Sequence, residues 1–227
     1  MKIVFKIVFF LSCLIACQSN DSNEDLNSNH LKYFGFTLID VGWDDPLDTE
    51  NESNYLGEVA YFSNVADLLV VEPTDNIRNR LDLMESNNTK AIIHLSEIFF
   101  EQTGNQSPSG VKYSLRNDYE LRWDNFVQNN NLNSNKDKIQ AFYIGEEPTW
   151  NGISFNDLKL ATDYVKTKQS EIPIMIVEAS PALNILKVPS SVDWVGFDHY
   201  FIKDPENDIQ SASDKNADKV VGNIVEL

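Results

Sequence analysis

The sequence predicts an α/β fold, and more specifically an incomplete (β/α)8 TIM-like barrel of about six βα units. Short apolar segments alternate with segments of helical periodicity, which is typical of βαβ units and a parallel sheet. A polar or charged residue follows each apolar segment, as at the catalytic rim of α/β barrels. The glycine-rich first turn of a dinucleotide-binding fold is absent from the sequence.

Six segments have the composition of buried strands. They are 34–39, 67–71, 91–95, 139–144, 173–177 and 192–197. Helices are predicted near 55–62, over 75–86 with Thr74 as N-cap, near 119–129 and after the N-cap Ser154, and a long polar connection is predicted around 102–110. Because parallel strands end at one edge of a sheet, the side chains that follow them are expected to lie together.

The predicted rim supplies the candidate substrate-binding residues. They are Asp40, Glu72, His94, Glu146, Glu178, Asp198 and Tyr200, with Trp43 and Trp150 as aromatic side chains for stacking on a sugar ring. Core or lid packing is the alternative for the aromatic residues. We expect His94 and His199 to serve in hydrogen bonding or structure rather than in metal ligation.

The strand count falls short of a complete barrel. Eight units typically need about 250 residues, whereas this chain has 227. The segment 216–227 fits either a seventh strand or the helix after the sixth. We therefore expect a shortened or interrupted version of a longer barrel, with an open sheet complete at six strands as the alternative.

The first 17 residues have the features of a signal peptide. Two lysines flank and interrupt an apolar run, 3–16, that is too short to span a bilayer. The run ends Leu-Ile-Ala-Cys at 14–17, which resembles a bacterial lipobox. The resemblance implies that Cys17 is lipidated and anchors the protein at the outer membrane or cell surface of a Gram-negative bacterium. An ordinary secretory signal is the alternative.

The rest of the chain divides into a tether and a domain. Residues 18–31 are polar and acidic and predict a flexible tether. Residues 32–227 are predicted to form the barrel domain. The formal net charge of −17 argues against nucleic acid as a partner, because phosphate binding needs clustered Lys and Arg.

We expect no cofactor and no metal. Closely spaced His, Cys and carboxylate residues of the kind that bind zinc are absent from the sequence. The acidic residues of the segment 44–52 lack the EF-hand spacing and its glycine, so a solvated loop is favoured over a calcium site.

Two adjacent glutamates follow the fourth predicted strand. Residues 145–148, Gly-Glu-Glu-Pro, resemble the Asn-Glu-Pro or Asp-Glu-Pro signature of barrel glycoside hydrolases whose catalytic glutamates lie on strands four and seven. The chain from about 33 to 201 is similar to these barrels in the order and spacing of its elements. The resemblance implies that Glu147 is the general acid/base, which needs a raised pKa to protonate the leaving glycosidic oxygen. Glu146 stands where the family has the Asn or Asp that touches the sugar 2-hydroxyl.

The same resemblance implies a nucleophile after strand seven, where Glu226 is the only positional candidate. Neighbours on a strand point to opposite faces, so Glu146 and Glu147 are not expected to form the catalytic pair themselves. The sequence therefore predicts a glycan-active surface lipoprotein. A non-catalytic glycan-binding lipoprotein and an inactive truncated homologue are the alternatives.

Overall fold

The computed structural model describes residues 31–44 and 51–198. The predicted signal peptide with Cys17, nearly all of the predicted tether, residues 45–50, His199, Tyr200 and the segment 216–227 lie outside the described residues. The boundaries drawn at 17 and 31 stay predictions.

The described residues form eight strands, five α-helices and three 3₁₀ segments. The strands are β1 (Gly35–Asp40), β2 (Val65–Leu69), β3 (Lys90–His94), β4 (Phe100–Gly104), β5 (Lys112–Leu115), β6 (Ile139–Glu146), β7 (Ile174–Ala179) and β8 (Trp194–Asp198). The helices are α1 (Leu56–Val59), α2 (Arg78–Ser86), α3 (Ser96–Phe99), α4 (Tyr119–Asn130) and α5 (Phe155–Lys168), and the 3₁₀ segments are Leu132–Ser134, Lys136–Lys138 and Ser180–Ile185. No helix of the described part is long and apolar enough to cross a membrane.

Six of these strands form one sheet in the order β1-β2-β3-β6-β7-β8, and every neighbouring pair in it is parallel. Each strand pairs with the next sheet strand along the chain, which is the winding of a (β/α)8 barrel. The predicted fold, an incomplete TIM-like barrel of six βα units, is confirmed.

The sheet separates two apolar clusters. On one face, strand residues such as Phe142 and Ile144 pack against the helices. On the other face lies a small cluster contributed by the strands themselves, with Ala141, Tyr143, Met175, Val177 and Trp194. Alternation along each strand produces this division, and the second cluster lies on the inner face of the incomplete barrel.

The sheet is curled at the ends where its strands begin. Tyr33, just before β1, packs on Trp194 at the start of β8, with 5.7 Å between the ring centroids. The two edge strands therefore approach each other across the inner face. Gly35 allows the close approach at the start of β1, because a Cβ there would lie 1.9 Å from the Val65 carbonyl oxygen.

Aromatic packing holds helix α4 to the sheet. Trp123 of α4 is fully buried and meets Phe142 edge to face, with 5.2 Å between the ring centroids. Burying a side chain of this size contributes roughly 3 kcal/mol. The predicted cap of α5 is confirmed, since the Ser154 side chain accepts a hydrogen bond from the Asp157 amide.

One expectation about the connections holds in part and another is wrong. Most of the polar connection predicted around 102–110 joins β4 to β5 of an antiparallel hairpin outside the main sheet, and its first residues belong to β4. Helix α2 begins after Ile77 rather than after Thr74. The carboxylate of Asp75 instead accepts the amides of Val71 and Glu72 and so closes a turn that delays the helix.

Candidate functional site

A bulge at the end of β6 sets the direction of Glu146. The register passes from Tyr143 opposite Met175 to Gly145 opposite Ile176, so β6 carries one extra residue. A Cβ on Gly145 would meet the side chain of Leu158 on α5, so this position faces the helices. The bulge therefore shifts the alternation of side-chain directions along β6 by one residue, and Glu146 points toward the inner face of the sheet.

Glu147 leaves the strand in a left-handed conformation. Its φ is +45°, a value that a non-glycine residue adopts at a cost of about 1–3 kcal/mol. Its amide donates to the Val177 carbonyl oxygen at 2.6 Å, which holds the turn against β7. The backbone change lets two consecutive glutamates point into the same barrel mouth with different partners.

The half-buried carboxyl group of Glu147 interacts with the carboxyl group of Asp198, at the end of β8. Burial, this interaction and the repulsion of Glu146 and Glu178 together raise the pKa of Glu147 to about 8. Glu147 is therefore mostly protonated at neutral pH. Asp198 is buried, and its Oδ1 has no hydrogen-bond partner among the described residues.

Glu146 belongs to a second charged group on the same face. The ring of His94 lies between two carboxylates, with Nε2 3.3 Å from Glu146 Oε2 and Nδ1 3.6 Å from Asp67 Oδ2. The second distance is an ion-pair contact rather than a hydrogen bond. Burial lowers the pKa of His94, but the two carboxylates outweigh it and raise the value to about 10. In return, the hydrogen bond with His94 lowers the pKa of Glu146.

Four of these acidic residues also influence the buried phenol of Tyr143. Burial raises the pKa of Tyr143 well above its ordinary value, with further contributions from Glu146, Asp67, Asp198 and Glu147. We call these four residues the inner carboxylates. His94 stacks on the same tyrosine, with 4.3 Å between the ring centroids.

A pocket of about 240 Å³ opens beside Glu146. It lies between the β4–β5 hairpin and the loop that follows β6. It is lined by Ser96, Glu97, Phe100, Val111, Tyr113, Glu146, Asn151 and Ile153. Burial raises the pKa of Tyr113, and Glu97 and Glu146 raise it further. Glu147 is not among the lining residues.

The other predicted strand-end acids are held differently, and we call them the outer carboxylates. Asp40 is buried and binds Arg80 of α2, with 2.8 Å between Oδ2 and Nε. Glu72 pairs with Arg122 of α4, with 3.2 Å between Oε2 and Nη2. The fully buried carboxylate of Glu178 accepts the amides of Thr149, Trp150 and Ala179 at 2.8–3.2 Å. The structure places none of these three carboxylates on the pocket wall.

The aromatic candidates lie on the connections. Trp43 follows β1 and is 52% exposed. Trp150 belongs to the loop after β6, and its carbonyl oxygen accepts the amide of Ser109, which ties this loop to the hairpin connection. Stacking of these rings on a sugar stays a prediction.

Sequence reasoning missed two contributors to the site. Asp67 was assigned to a strand but not to the rim, although a single acid within an apolar strand indicates a buried polar role. Tyr113 lies on β5, in a stretch for which no element was predicted. Among residues 31–44 and 51–198, no group of three or more His, Cys, Asp or Glu residues could hold a metal ion.

Comparisons with known proteins give a coarse structural likeness. No family model and no curated protein matches the chain. Among solved structures, Gas2 of Saccharomyces cerevisiae in complex with compound 8 matches with a TM-score of 0.49 and 13% identity, over 73% of this chain and 39% of that chain. Gas2p in complex with laminaritriose and laminaritetraose matches with a TM-score of 0.47 and 11% identity, over 73% and 39% of the two chains. Gas2p in complex with laminaripentaose gives 0.46 and 12%, over 72% and 39%. The chain spans about two fifths of the length of these proteins.

Proposed function

We propose that this chain is a carbohydrate-active protein of the glycoside hydrolase type, with Glu147 as its general acid/base. The observation that carries the proposal is the state of that carboxyl group. It is half-buried at the C-terminal end of a parallel strand, and its pKa is raised to about 8. A general acid must hold its proton at working pH until the glycosidic oxygen takes it.

Asp198 has a supporting role in this proposal. Hydrolysis uses a second carboxylate about 5–5.5 Å away in retaining enzymes and about 6.5–9.5 Å away in inverting ones. In this proposal Asp198 is not that second carboxylate. It interacts with Glu147 and raises its pKa, which keeps Glu147 protonated. The nucleophile predicted at Glu226 lies outside the described residues.

One observation favours a second function, glycan binding without catalysis. The pocket is lined by Glu146 and not by Glu147. A sugar held there by Glu146, Tyr113 and Asn151 need not reach the proton on Glu147. In this alternative the carboxyl pair of Glu147 and Asp198 is a structural element of the rim.

The test measures release of reducing sugar from a panel of neutral glycans that includes laminari-oligosaccharides, using the full chain. We expect Glu147→Gln to lower the rate by about 100-fold or more. Glu171→Gln is the matched control, because Glu171 is exposed, pairs with Lys136 and precedes β7 at the opposite end of the sheet. Undiminished hydrolysis by Glu147→Gln would contradict the assignment. Binding without any release by the wild type would establish the second function.

The proposed location is the outer membrane or cell surface, through a lipid on Cys17. The Leu-Ile-Ala-Cys motif at 14–17 and the acidic segment after it support this location. Metabolic labelling with a radioactive fatty acid tests it. Label is expected on the wild type and absent from Cys17→Ala, and equal labelling of both would refute the anchor.

A further inference from the structure

We propose that the pocket beside Glu146 binds a glycan unit that carries a free amine, such as a glucosaminyl residue. The inference rests on the proposed function and narrows its substrate class to cationic glycans. Three features of the pocket carry it: its size and apolar floor, its charge, and the absence of metal-ligand geometry around it.

The size and the lining of the pocket suit a single sugar unit. Phe100, Val111 and Ile153 supply apolar surface, and Ser96 and Asn151 supply polar groups beside it. Its volume of about 240 Å³ is below the roughly 300–1,000 Å³ of sites for drug-sized ligands. A pyranose ring, with C–H groups on its faces and polar groups on its edge, matches this mixture.

The first source of charge is Glu146. His94 is the cation that this carboxylate contacts, and the same imidazolium also faces Asp67. One positive charge is shared by two negative ones, so this group keeps a net charge of about −1. The side chain of Glu146 is 54% exposed at the pocket, so part of that charge is available to a ligand.

The second source is Glu97, on the same pocket wall. Arg116 is its cation, at 3.8 Å, but Arg116 lies closer to Glu101, at 3.3 Å. One cation again serves two carboxylates, and this group also keeps a net charge of about −1. No Lys or Arg is among the residues that line the pocket.

Tyr113 lies on the wall with both glutamates and responds to their charge. After burial, Glu97 and Glu146 are the causes of its raised pKa. The potential that disfavours a phenolate there favours an ammonium group and disfavours a uronic acid or a phosphorylated sugar. An ammonium group brings three hydrogen-bond donors to a wall of acceptors.

A metal ion is a weaker occupant for the same charge. Within the described ranges no three carboxylate or histidine side chains have the geometry to ligate one. An amine on a sugar needs only one or two carboxylate contacts, and the apolar floor serves the ring that carries it.

The experiment is calorimetric titration of the full chain, in mild detergent, with a glucosamine tetrasaccharide and with its fully N-acetylated counterpart. Laminaritetraose is the neutral glucan and tetralysine is the cation without sugar. We expect the free-amine glycan to bind about tenfold more tightly than the acetylated one, with affinity that falls as salt rises. Glu146→Gln and Glu97→Gln are each expected to weaken it several-fold, and Glu171→Gln to leave it unchanged.

The outcomes separate this inference from the function on which it rests. Equal binding of the glucosamine tetrasaccharide and its N-acetylated counterpart, or tighter binding of laminaritetraose, overturns the inference. Either result leaves the proposed function unaffected. Binding of tetralysine as tight as that of the glycan, unaffected by either pocket variant, also overturns it, because a general attraction to an acidic surface would then explain the result. Failure of every glycan to bind refutes both. Urea denaturation of each variant verifies that it is folded.

Discussion

The inner and the outer carboxylates lie at the same edge of the sheet but are held in opposite ways. Each outer carboxylate has partners of its own, Arg80, Arg122 or backbone amides. Two of the inner carboxylates, Glu146 and Asp67, share one cation, His94, and Asp67 also accepts the Leu38 amide. In the described part of the chain, Asp67 and Asp198 each keep one buried oxygen without a hydrogen-bond partner. An acid at a strand end is thus fully paired in one group and incompletely paired in the other.

Glu178 and Asp198 show the cause of this difference most clearly. They end neighbouring strands, and in the register Glu178 is opposite Phe197 while Ala179 is opposite Asp198. Side chains one step apart on paired strands point to opposite faces. Glu178 therefore meets the backbone of the loop after β6, and Asp198 meets Glu147 in the barrel mouth.

The largest expected loss of stability comes from removing hydrogen bonds of the Glu178 carboxylate. Glu178→Gln replaces one carboxylate oxygen with a donor that faces an amide donor, so buried N–H groups lose their acceptor. We expect a loss of about 3 kcal/mol in the free energy of unfolding, measured by urea denaturation. Glu146→Gln, the inner counterpart, is expected to cost less than about 1 kcal/mol, because its carboxylate is largely exposed. Equal costs for the two variants would remove the distinction between the groups.

A smaller loss is expected at the other buried outer carboxylate. Arg80→Gln leaves Asp40 buried without its cation, and it also removes donors to the Asp40 and Leu69 carbonyl oxygens. We expect a cost of about 2 kcal/mol. In the double variant Asp40→Asn/Arg80→Gln the uncompensated charge is gone, so part of the loss should be recovered. Additive costs in a double-mutant cycle would show that the pair is not coupled.

The inner carboxylates and His94 should instead make the free energy of unfolding depend on pH. The pKa of Glu147 is raised from 4.5 to about 8 in the folded protein. The protonated carboxyl group therefore contributes fully to the free energy of unfolding below pH 4.5, and this contribution is lost as the pH rises through 8. His94, raised from 6.5 to about 10, contributes fully below pH 6.5, and this is lost as the pH rises through 10.

We therefore expect the free energy of unfolding to fall from about pH 5 to pH 9. Glu147→Gln should reduce the pH dependence in the lower part of this pH range, and His94→Gln should reduce it in the upper part. Urea denaturation at a series of pH values measures both slopes. Glu171→Gln is the control and should keep the wild-type slope in this range, since the pKa of Glu171 is lowered by Lys136 and not raised. An unchanged slope in Glu147→Gln would mean that its carboxyl group titrates normally.

The fold was predictable from the sequence because the six apolar strand segments and their helices differ clearly in periodicity. The division of the strand-end acids was not predictable, because it depends on alternation and on one bulge. Nothing in the pattern around Gly145 indicates the extra residue that turns Glu146 inward. The register that places Asp198 beside Glu147, rather than Glu178, is set by strand pairing and cannot be obtained from the order of residues alone.

The smallest expected change in stability comes from Asp198→Asn, and it tests the carboxyl pair directly. The amide keeps the shape of the side chain and can still hydrogen-bond to Glu147, but it removes the nearby repulsion. We expect the free energy of unfolding at pH 7 to change by less than about 0.5 kcal/mol. The pKa of Glu147 should nevertheless fall, as measured by NMR titration of its labelled carboxyl carbon. A fall with little change in stability would show that Asp198 serves the proton of Glu147 rather than the fold. A large destabilisation with an unchanged pKa would instead assign Asp198 to the structural group with Glu178.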